Sequence, residues 1–314
     1  MLKYFLLFIF LLYLNNNIKA QCFASSGNPV GGSDNIGVMN KGIVRISSFY
    51  RYSSFNKYFE KNKKYAGDKG ILNNANYNYI GLLSGYGLNE KWTLETEAGY
   101  YLNKTQNYIF DNFSLTAKGF SNAVISSKHK VFSNSDKRIE LSFALGANIP
   151  FSREFKEENG VVLPIDIQPS TGSYGIVFQT FLIKENSFKG IRYFYSNRIE
   201  KYFENKQNYI FGNSYSNSLY LSKHFVFEKY ILKDWTLIMQ LRNQIKDPNF
   251  RKGTKVDASG NMIFYLIPQI NLSINDNWNI SLLCDVPVYQ YYNNIQLANN
   301  FSLGLVLIKD FPNN

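Results

Sequence analysis

The residues from Arg138 to Ile149 alternate between apolar and polar side chains with a period of two. The run RIELSFALGANI puts Ile, Leu, Phe, Leu, Ala and Ile on one side of an extended chain, and Glu, Ser, Ala, Gly and Asn on the other. An amphipathic helix would need a period near 3.6, at which the polar residues scatter around the axis. The segment is therefore predicted to be a strand. It has about twelve residues, roughly twice the usual length in globular sheets and enough for a tilted crossing of a hydrocarbon layer.

Similar alternation recurs along the chain and predicts twelve strands. They pair into hairpins through short turns such as Asn89-Glu90-Lys91, and longer connections join one hairpin to the next. A strict alternation of short and long connections is typical of outer-membrane barrels, and an even strand count lets the first strand pair with the last. The predicted strands are Ile43–Tyr52, Tyr77–Leu88, Trp92–Leu102, Gly119–Phe132, Arg138–Ile149, Tyr174–Lys184, Ile191–Tyr202, Ser214–Phe227, Trp235–Ile245, Met262–Ile274, Trp278–Tyr289 and Asn300–Lys309.

The fold class that follows is all-β: a single transmembrane antiparallel β-barrel over residues 42–314, with short periplasmic turns and longer extracellular loops. Residues 1–20 have the features of a secretory signal peptide, namely Lys3, the short apolar run Tyr4–Leu14 and the small residue Ala20 at the expected cleavage point. Residues 21–41 are rich in Gly, Ser and Asn, and we interpret them as a flexible lead-in and a candidate plug of the pore. The expected location is the cell outer membrane.

Aromatic content strengthens the membrane interpretation. Phe, Tyr and Trp make up 17% of the chain, yet the mean hydropathy is only -0.25. Trp92, Trp235 and Trp278, which are all of the tryptophans, begin predicted strands directly after short turns. Aromatic residues at one common height are typical of the interfacial girdle of a membrane barrel.

The basic charge does not indicate a nucleic-acid partner. The formal net charge of +11 falls to +9 when Lys3 and Lys19 are removed with the signal peptide. The remaining basic residues are spread among turns and loops, and no nucleic-acid-binding motif accompanies them. The expected partners are outer-membrane lipid and a small solute of unknown identity, with the chain as a monomer or small homo-oligomer.

No motif indicates a metal, a cofactor or an enzyme. The chain has no HExxH, CxxC or Walker sequence, and its two cysteines, Cys22 and Cys284, make no disulfide scaffold. Cys22 follows the expected cleavage point, but Lys19-Ala20-Gln21 is a poor lipidation signal. Ser127 with His129, and Ser222 with His224, share strand faces, which leaves open a barrel lipase as a minor alternative.

Polar residues on the faces opposite the apolar ones are expected to point into the lumen. Charges of both signs cost little in a hydrated lumen and much more in lipid. They either pair across the barrel and fill it, or line a solute path. Twelve strands lie between small filled barrels and wide porins, so a narrow or gated path is expected. The predicted lumen residues are Arg45, Glu95, Glu97, Glu140, Arg192, Arg198, Gln240, Arg242, Gln269 and Asp285.

Three short runs resemble a known family. Gly146–Pro150, Asp166–Ser173 and Asp285–Gln290, the last followed by Gln296-Leu297, are similar to the exported barrels called transporter or MetA-pathway phenol-degradation proteins. The resemblance covers about the last two thirds of the chain, and the richness in Asn, Lys and Tyr is similar to versions from Bacteroidetes. It implies an outer-membrane barrel that passes small hydrophobic or aromatic solutes, without catalytic residues to carry over.

The sequence thus predicts a passive or gated path for small solutes in an outer membrane. The alternative from another functional class is a non-conducting surface barrel whose external loops bind a partner.

Overall fold

The computed structural model describes residues 37–67, 72–109, 113–186, 188–227 and 234–311. The predicted signal peptide and residues 21–36 of the lead-in, which include Cys22, lie outside these ranges. The strands, which include several short pairs in the loops, are β1 (Val44–Lys61), β2 (Lys63–Lys64), β3 (Leu72–Asn89), β4 (Trp92–Tyr108), β5 (Ser114–Phe120), β6 (Ala123–Asn134), β7 (Ile139–Ile149), β8 (Glu157–Glu158), β9 (Val161–Val162), β10 (Gly175–Asn186), β11 (Ile191–Tyr202), β12 (Tyr209–Ile210), β13 (Ser214–Val226), β14 (Asp234–Lys246), β15 (Phe250–Arg251), β16 (Thr254–Lys255), β17 (Asn261–Asn275) and β18 (Trp278–Phe311).

Eleven of these strands form a closed antiparallel barrel, which confirms the predicted fold class. The order around the ring is β18-β17-β14-β13-β11-β10-β7-β6-β4-β3-β1, and β1 pairs with β18 to close it. The closing register runs from Val44 opposite Phe311 to Lys61 opposite Tyr292. Strands β2 and β5 extend the same sheet outside the ring. Closure satisfies the backbone groups that an open edge would expose.

The longest strand, β18, runs along the height of the barrel wall twice, in opposite directions. Its first part, from Trp278 to Tyr292, pairs with β17, and its second part pairs with β1. The two parts contact each other, because Gln290 Nε2 donates to the carbonyl oxygen of Asn299 at 3.0 Å. The described strands therefore make twelve crossings, as the sequence predicts.

Short and long connections lie at opposite ends of the barrel, here named the turn end and the loop end. The turn end carries short connections such as the two residues between β3 and β4. The loop end carries the small sheets β8-β9 and β12-β15-β16, and a 3-10 helix at Ile165–Ile167. The expected strict alternation is wrong within β18, where the strands continue to the reversal and leave no long loop. It is also wrong between β4 and β5, whose five-residue connection at the loop end is shorter than the seven residues between β13 and β14 at the turn end.

Several strands are longer than the sequence predicts. Strand β1 reaches Lys61, although the sequence predicts that this strand ends at Tyr52 and that a polar loop follows. The predicted strand Gly119–Phe132 is instead divided into β5 and β6 by a break at Ser121 and Asn122. The ends of such strands are polar and extend beyond the apolar outer surface, so they show no hydrophobic alternation. A prediction from the pattern alone therefore places the ends of these strands too early.

Apolar side chains cover the outside of the barrel. Leu145, Leu219 and Leu282 are among the most exposed, with exposed fractions of 62%, 57% and 57%. An exposed apolar belt of this extent is a feature of membrane and interaction surfaces rather than of ordinary soluble monomers. Among the described residues, no helix is long and apolar enough to cross a membrane.

The half of the lumen nearer the turn end is packed rather than open. Ile238, Ile267 and Ile308 are 1%, 0% and 1% exposed, and they lie with buried aromatic side chains in two clusters. Strands β14 and β17 carry apolar residues on both faces. Their sequence therefore does not reveal that one apolar face is buried inside the barrel.

Candidate functional site

The described part of the N-terminal segment enters the lumen at the turn end. Its backbone hydrogen-bonds to two strands that are not neighbours in the ring, because Val38 N donates to Glu140 Oε1 at 2.9 Å and Met39 N donates to Thr93 Oγ1 at 2.9 Å. Met39 is buried. Glycine at position 87 makes room for this segment, since a Cβ there would overlap the carbonyl oxygen of Asn40. Residues 37–41 of the predicted lead-in thus occupy the turn end of the lumen.

A cavity of about 540 Å³ lies in the other half of the lumen, towards the loop end. Strands from around the ring and the loop residues 165–171, 211–212 and 258–260 line it. Of the predicted lumen residues, Glu97, Arg198 and Arg242 line this cavity.

Two charged triads cross the lumen at the level of the cavity. Arg198 on β11 reaches Glu97 on β4 at 2.9 Å and Glu200 on its own strand at 2.5 Å. Arg51 on β1 and Arg242 on β14 both bind the same carboxylate oxygen, Oδ2 of Asp285 on β18. The first triad connects two strands that do not neighbour each other in the ring, and the second joins β14 and β1 through Asp285 on β18.

Other predicted lumen residues lie between the cavity and the turn end, and each has a partner within the barrel. Glu95 binds the fully buried Lys128 at 2.7 Å, and the Lys128 ammonium also lies 4.2 Å from the centre of the Phe181 ring. Gln269 Nε2 donates to Gln240 Oε1 at 2.8 Å. Pairing of this kind offsets part of the cost of removing charged and polar groups from water.

The remaining predicted residues lie close to the turn end. Arg45 binds Asp310 at 2.6 Å, Arg192 binds Glu185 at 3.2 Å, and Glu140 holds the N-terminal segment. The structure therefore distributes the ten residues over the whole height of the barrel, with most of them in ion pairs. Whether any of them lines a solute path stays a prediction.

The loop after β7 folds over the cavity and contains the run Asp166–Ser173. The Asn122 amide joins it to the barrel, donating to Asn148 Oδ1 and Thr171 Oγ1, each at 2.7 Å. Lys104 Nζ donates to the backbone oxygen of Gln168 at 2.9 Å. These contacts tie the loop to β4 and to the break between β5 and β6, where Asn122 also contacts β7. Sequence reasoning missed Lys104 and Asn122, because contacts between a loop and a distant strand leave no periodic signal.

Aromatic side chains form one wall of the cavity. The ring of Tyr101 lies 4.7 Å from that of Tyr79 and 5.7 Å from that of Tyr77, and Phe49 contacts Tyr79 with ring centres 5.7 Å apart. In the loop sheet, burial raises the pKa of Tyr209 above its ordinary value. The cavity combines an aromatic wall with fixed charges, which suits a small organic molecule.

Members of the two serine and histidine pairs contact other groups in the structure. Ser222 Oγ donates to the backbone oxygen of Arg192 at 3.4 Å, while His224 lies 3.6 Å from Asp234 and 3.2 Å from Thr236. His129 packs against Trp92 with ring centres 4.2 Å apart. Among the residues that the structure describes, no three His, Cys, Asp or Glu side chains are grouped to hold a metal ion, and Cys284 is a free thiol.

Solved structures share this fold. The outer-membrane channel COG4313 from Pseudomonas putida F1 is similar with a TM-score of 0.67 and 14% identity, over 90% of this chain and all of that one. The β domain of the Bordetella autotransporter BrkA gives a TM-score of 0.49 with 8% identity, over 86% of this chain and all of that one. The P. putida toluene transporter TodX gives 0.36 with 8% identity, over 88% of this chain and 92% of that one. No protein-family model matches the chain, and no curated protein matches it in sequence. The chain has the fold of an outer-membrane β-barrel.

Proposed function

We propose that the protein resides in the cell outer membrane, after export through its signal peptide, and provides a gated path for small hydrophobic or aromatic solutes. The observation that carries the proposal is the cavity of about 540 Å³ with its wall of tyrosines, inside a barrel whose outer face is apolar. The barrel contacts outer-membrane lipid as a monomer or small homo-oligomer, and it transports rather than catalyses. The relation to transporter-type barrels of Bacteroidetes belongs to the same proposal.

The path is gated because the turn-end half of the lumen is filled. Residues 37–41 and the buried side chains around Lys128 and Ile267 occupy that half. A solute entering from the loop end would reach the cavity, and it would pass the turn-end half of the lumen only after this region moves. The similarity to the COG4313 channel supports the architecture and is compatible with this role.

Influx into vesicles tests the proposal. Liposomes loaded with β-glucosidase and carrying the protein would be given p-nitrophenyl glucoside, a neutral aromatic solute, and the release of nitrophenol recorded. We expect influx above that of protein-free vesicles. Ser216→Trp, which places a large ring in the cavity lining, should slow it, whereas Leu219→Trp on the outer face should not.

A non-conducting barrel that binds a partner through its loops is the second candidate. Two observations favour this candidate: the turn-end half of the lumen is packed, and Val161 and Val162 on the loop hairpin β8-β9 are 68% and 51% exposed. Influx equal to that of empty vesicles for all three proteins would support this candidate and overturn the first.

A further inference from the structure

The floor of the cavity carries more positive than negative charge. Arg51 and Arg242 both line the cavity, and they share the single carboxylate of Asp285. Asp285 itself is 0% exposed. A solute in the cavity therefore meets two guanidinium groups whose only shared counter-charge lies behind them, an excess of one positive charge.

Both guanidinium groups are also short of hydrogen-bond acceptors. Arg51 and Arg242 are 8% and 5% exposed, and the Nε atom of each has no hydrogen-bond partner among the described residues. A buried donor without an acceptor costs about 1–3 kcal/mol, and more when it is charged. The planar guanidinium fork matches a carboxylate with two parallel hydrogen bonds. A carboxylate bound against the guanidinium surfaces that line the cavity would supply the missing charge.

Two of the other cations that line the cavity, Arg198 and Lys104, already have partners. Arg198 lies between Glu97 and Glu200, and Tyr202 also donates to Glu200. Lys104 donates to the loop at Gln168. The Glu97–Arg198–Glu200 triad carries an excess of one negative charge, which disfavours a second anionic group on the ligand. The charges of the two triads therefore favour a ligand with one carboxylate.

We infer that Arg51 and Arg242 form a recognition site for the carboxylate of a small aromatic monocarboxylic acid. The acid group lies on the cavity floor, and the ring packs against the wall of Tyr77, Tyr79 and Tyr101. The inference rests on the proposed function, since it names the class of solute that the path would take. It concerns binding alone, with no covalent step.

Calorimetric titration of the detergent-solubilised protein tests the site. The probes are 3-phenylpropionate and its neutral amide, 3-phenylpropanamide, which differ in the group that meets the arginines. We expect the acid to bind at least tenfold more tightly than the amide. Arg51→Gln and Arg242→Gln should each remove this preference, whereas Arg138→Gln, which breaks an ion pair at the turn end, should retain it.

Asp285→Asn gives a prediction of opposite sign that does not depend on the arginine variants folding. Freeing both guanidinium groups should tighten binding of the acid at least threefold and leave the amide unchanged. Equal binding of acid and amide by the wild type, or weaker binding of the acid by Asp285→Asn, would overturn the site. Glucoside influx without acid preference would refute this site alone, while acid preference without any influx would refute the path alone.

Discussion

A substitution at Gly87 can displace the N-terminal segment, residues 37–41, from its position in the lumen. A valine at position 87 would place its Cβ on the carbonyl oxygen of Asn40, a backbone atom that cannot turn aside as a flexible side chain can. Residues 37–41 must then leave the lumen or shift. The neighbouring substitution Leu88→Val is the control, because Leu88 is exposed on the opposite face of β3.

The expected size of the effect follows from the two hydrogen bonds that the segment would lose. The bond from Val38 N to the Glu140 carboxylate contributes about 2 kcal/mol, and the bond from Met39 N to Thr93 about 1 kcal/mol. A loss of about 3 kcal/mol corresponds to a change of roughly a hundredfold in an opening equilibrium, since each 1.4 kcal/mol is tenfold.

Hydrogen–deuterium exchange followed by mass spectrometry measures this opening. The peptide that contains residues 37–41 should be protected in the wild type and in Leu88→Val, and should exchange about a hundredfold faster in Gly87→Val. Exchange at the same fast rate in all three proteins would show that the segment is not seated, and the reasoning would be refuted.

Two further changes test the barrel itself. Glu95→Ala leaves the Lys128 ammonium buried without its carboxylate and should destabilise the fold by about 3–5 kcal/mol; Lys206→Ala, which breaks an exposed pair with Glu154, should cost less than about 1 kcal/mol. Both effects are measured by incubating samples at increasing temperatures and recording the temperature at which the folded band disappears from gels run without boiling. Equal shifts of this temperature in the two variants would contradict the burial argument. Leu219→Arg places a charge on the outer apolar face and should make the free energy of folding into lipid vesicles less favourable by about 2–4 kcal/mol. Glu158→Arg in a loop should not, and equal refolding of the two variants would count against lipid contact at Leu219.

The sequence predicts the barrel well because alternation and connection length are local properties. Strand β11 has the predicted bounds, Ile191 to Tyr202, since its apolar and polar residues alternate and turns flank it. The interior is harder to predict. Ile238 and Ile267 lie in strands with apolar residues on both faces, so the packed half of the lumen gives no distinct pattern.

The candidate site could be predicted only in part for a similar reason. Polar residues on inward faces identify Arg242 and Asp285, but their shared contact with Arg51 depends on how the ring closes. Alternation places Arg51 on the same face of β1 as Arg45, opposite Tyr50, but it does not show which carboxylate Arg51 contacts. The loop contacts of Asn122 and Lys104 depend on the fold of the loop after β7, which has no period.

Current through a planar lipid bilayer tests the central claim most directly. The wild type should give small or rare conductance steps, because residues 37–41 and the packed half of the lumen close the turn end. A chain lacking residues 21–41 should give larger and more frequent steps under the same voltage and salt. If both proteins insert and neither passes more current than the bare membrane, the barrel is filled throughout and the proposed path does not exist.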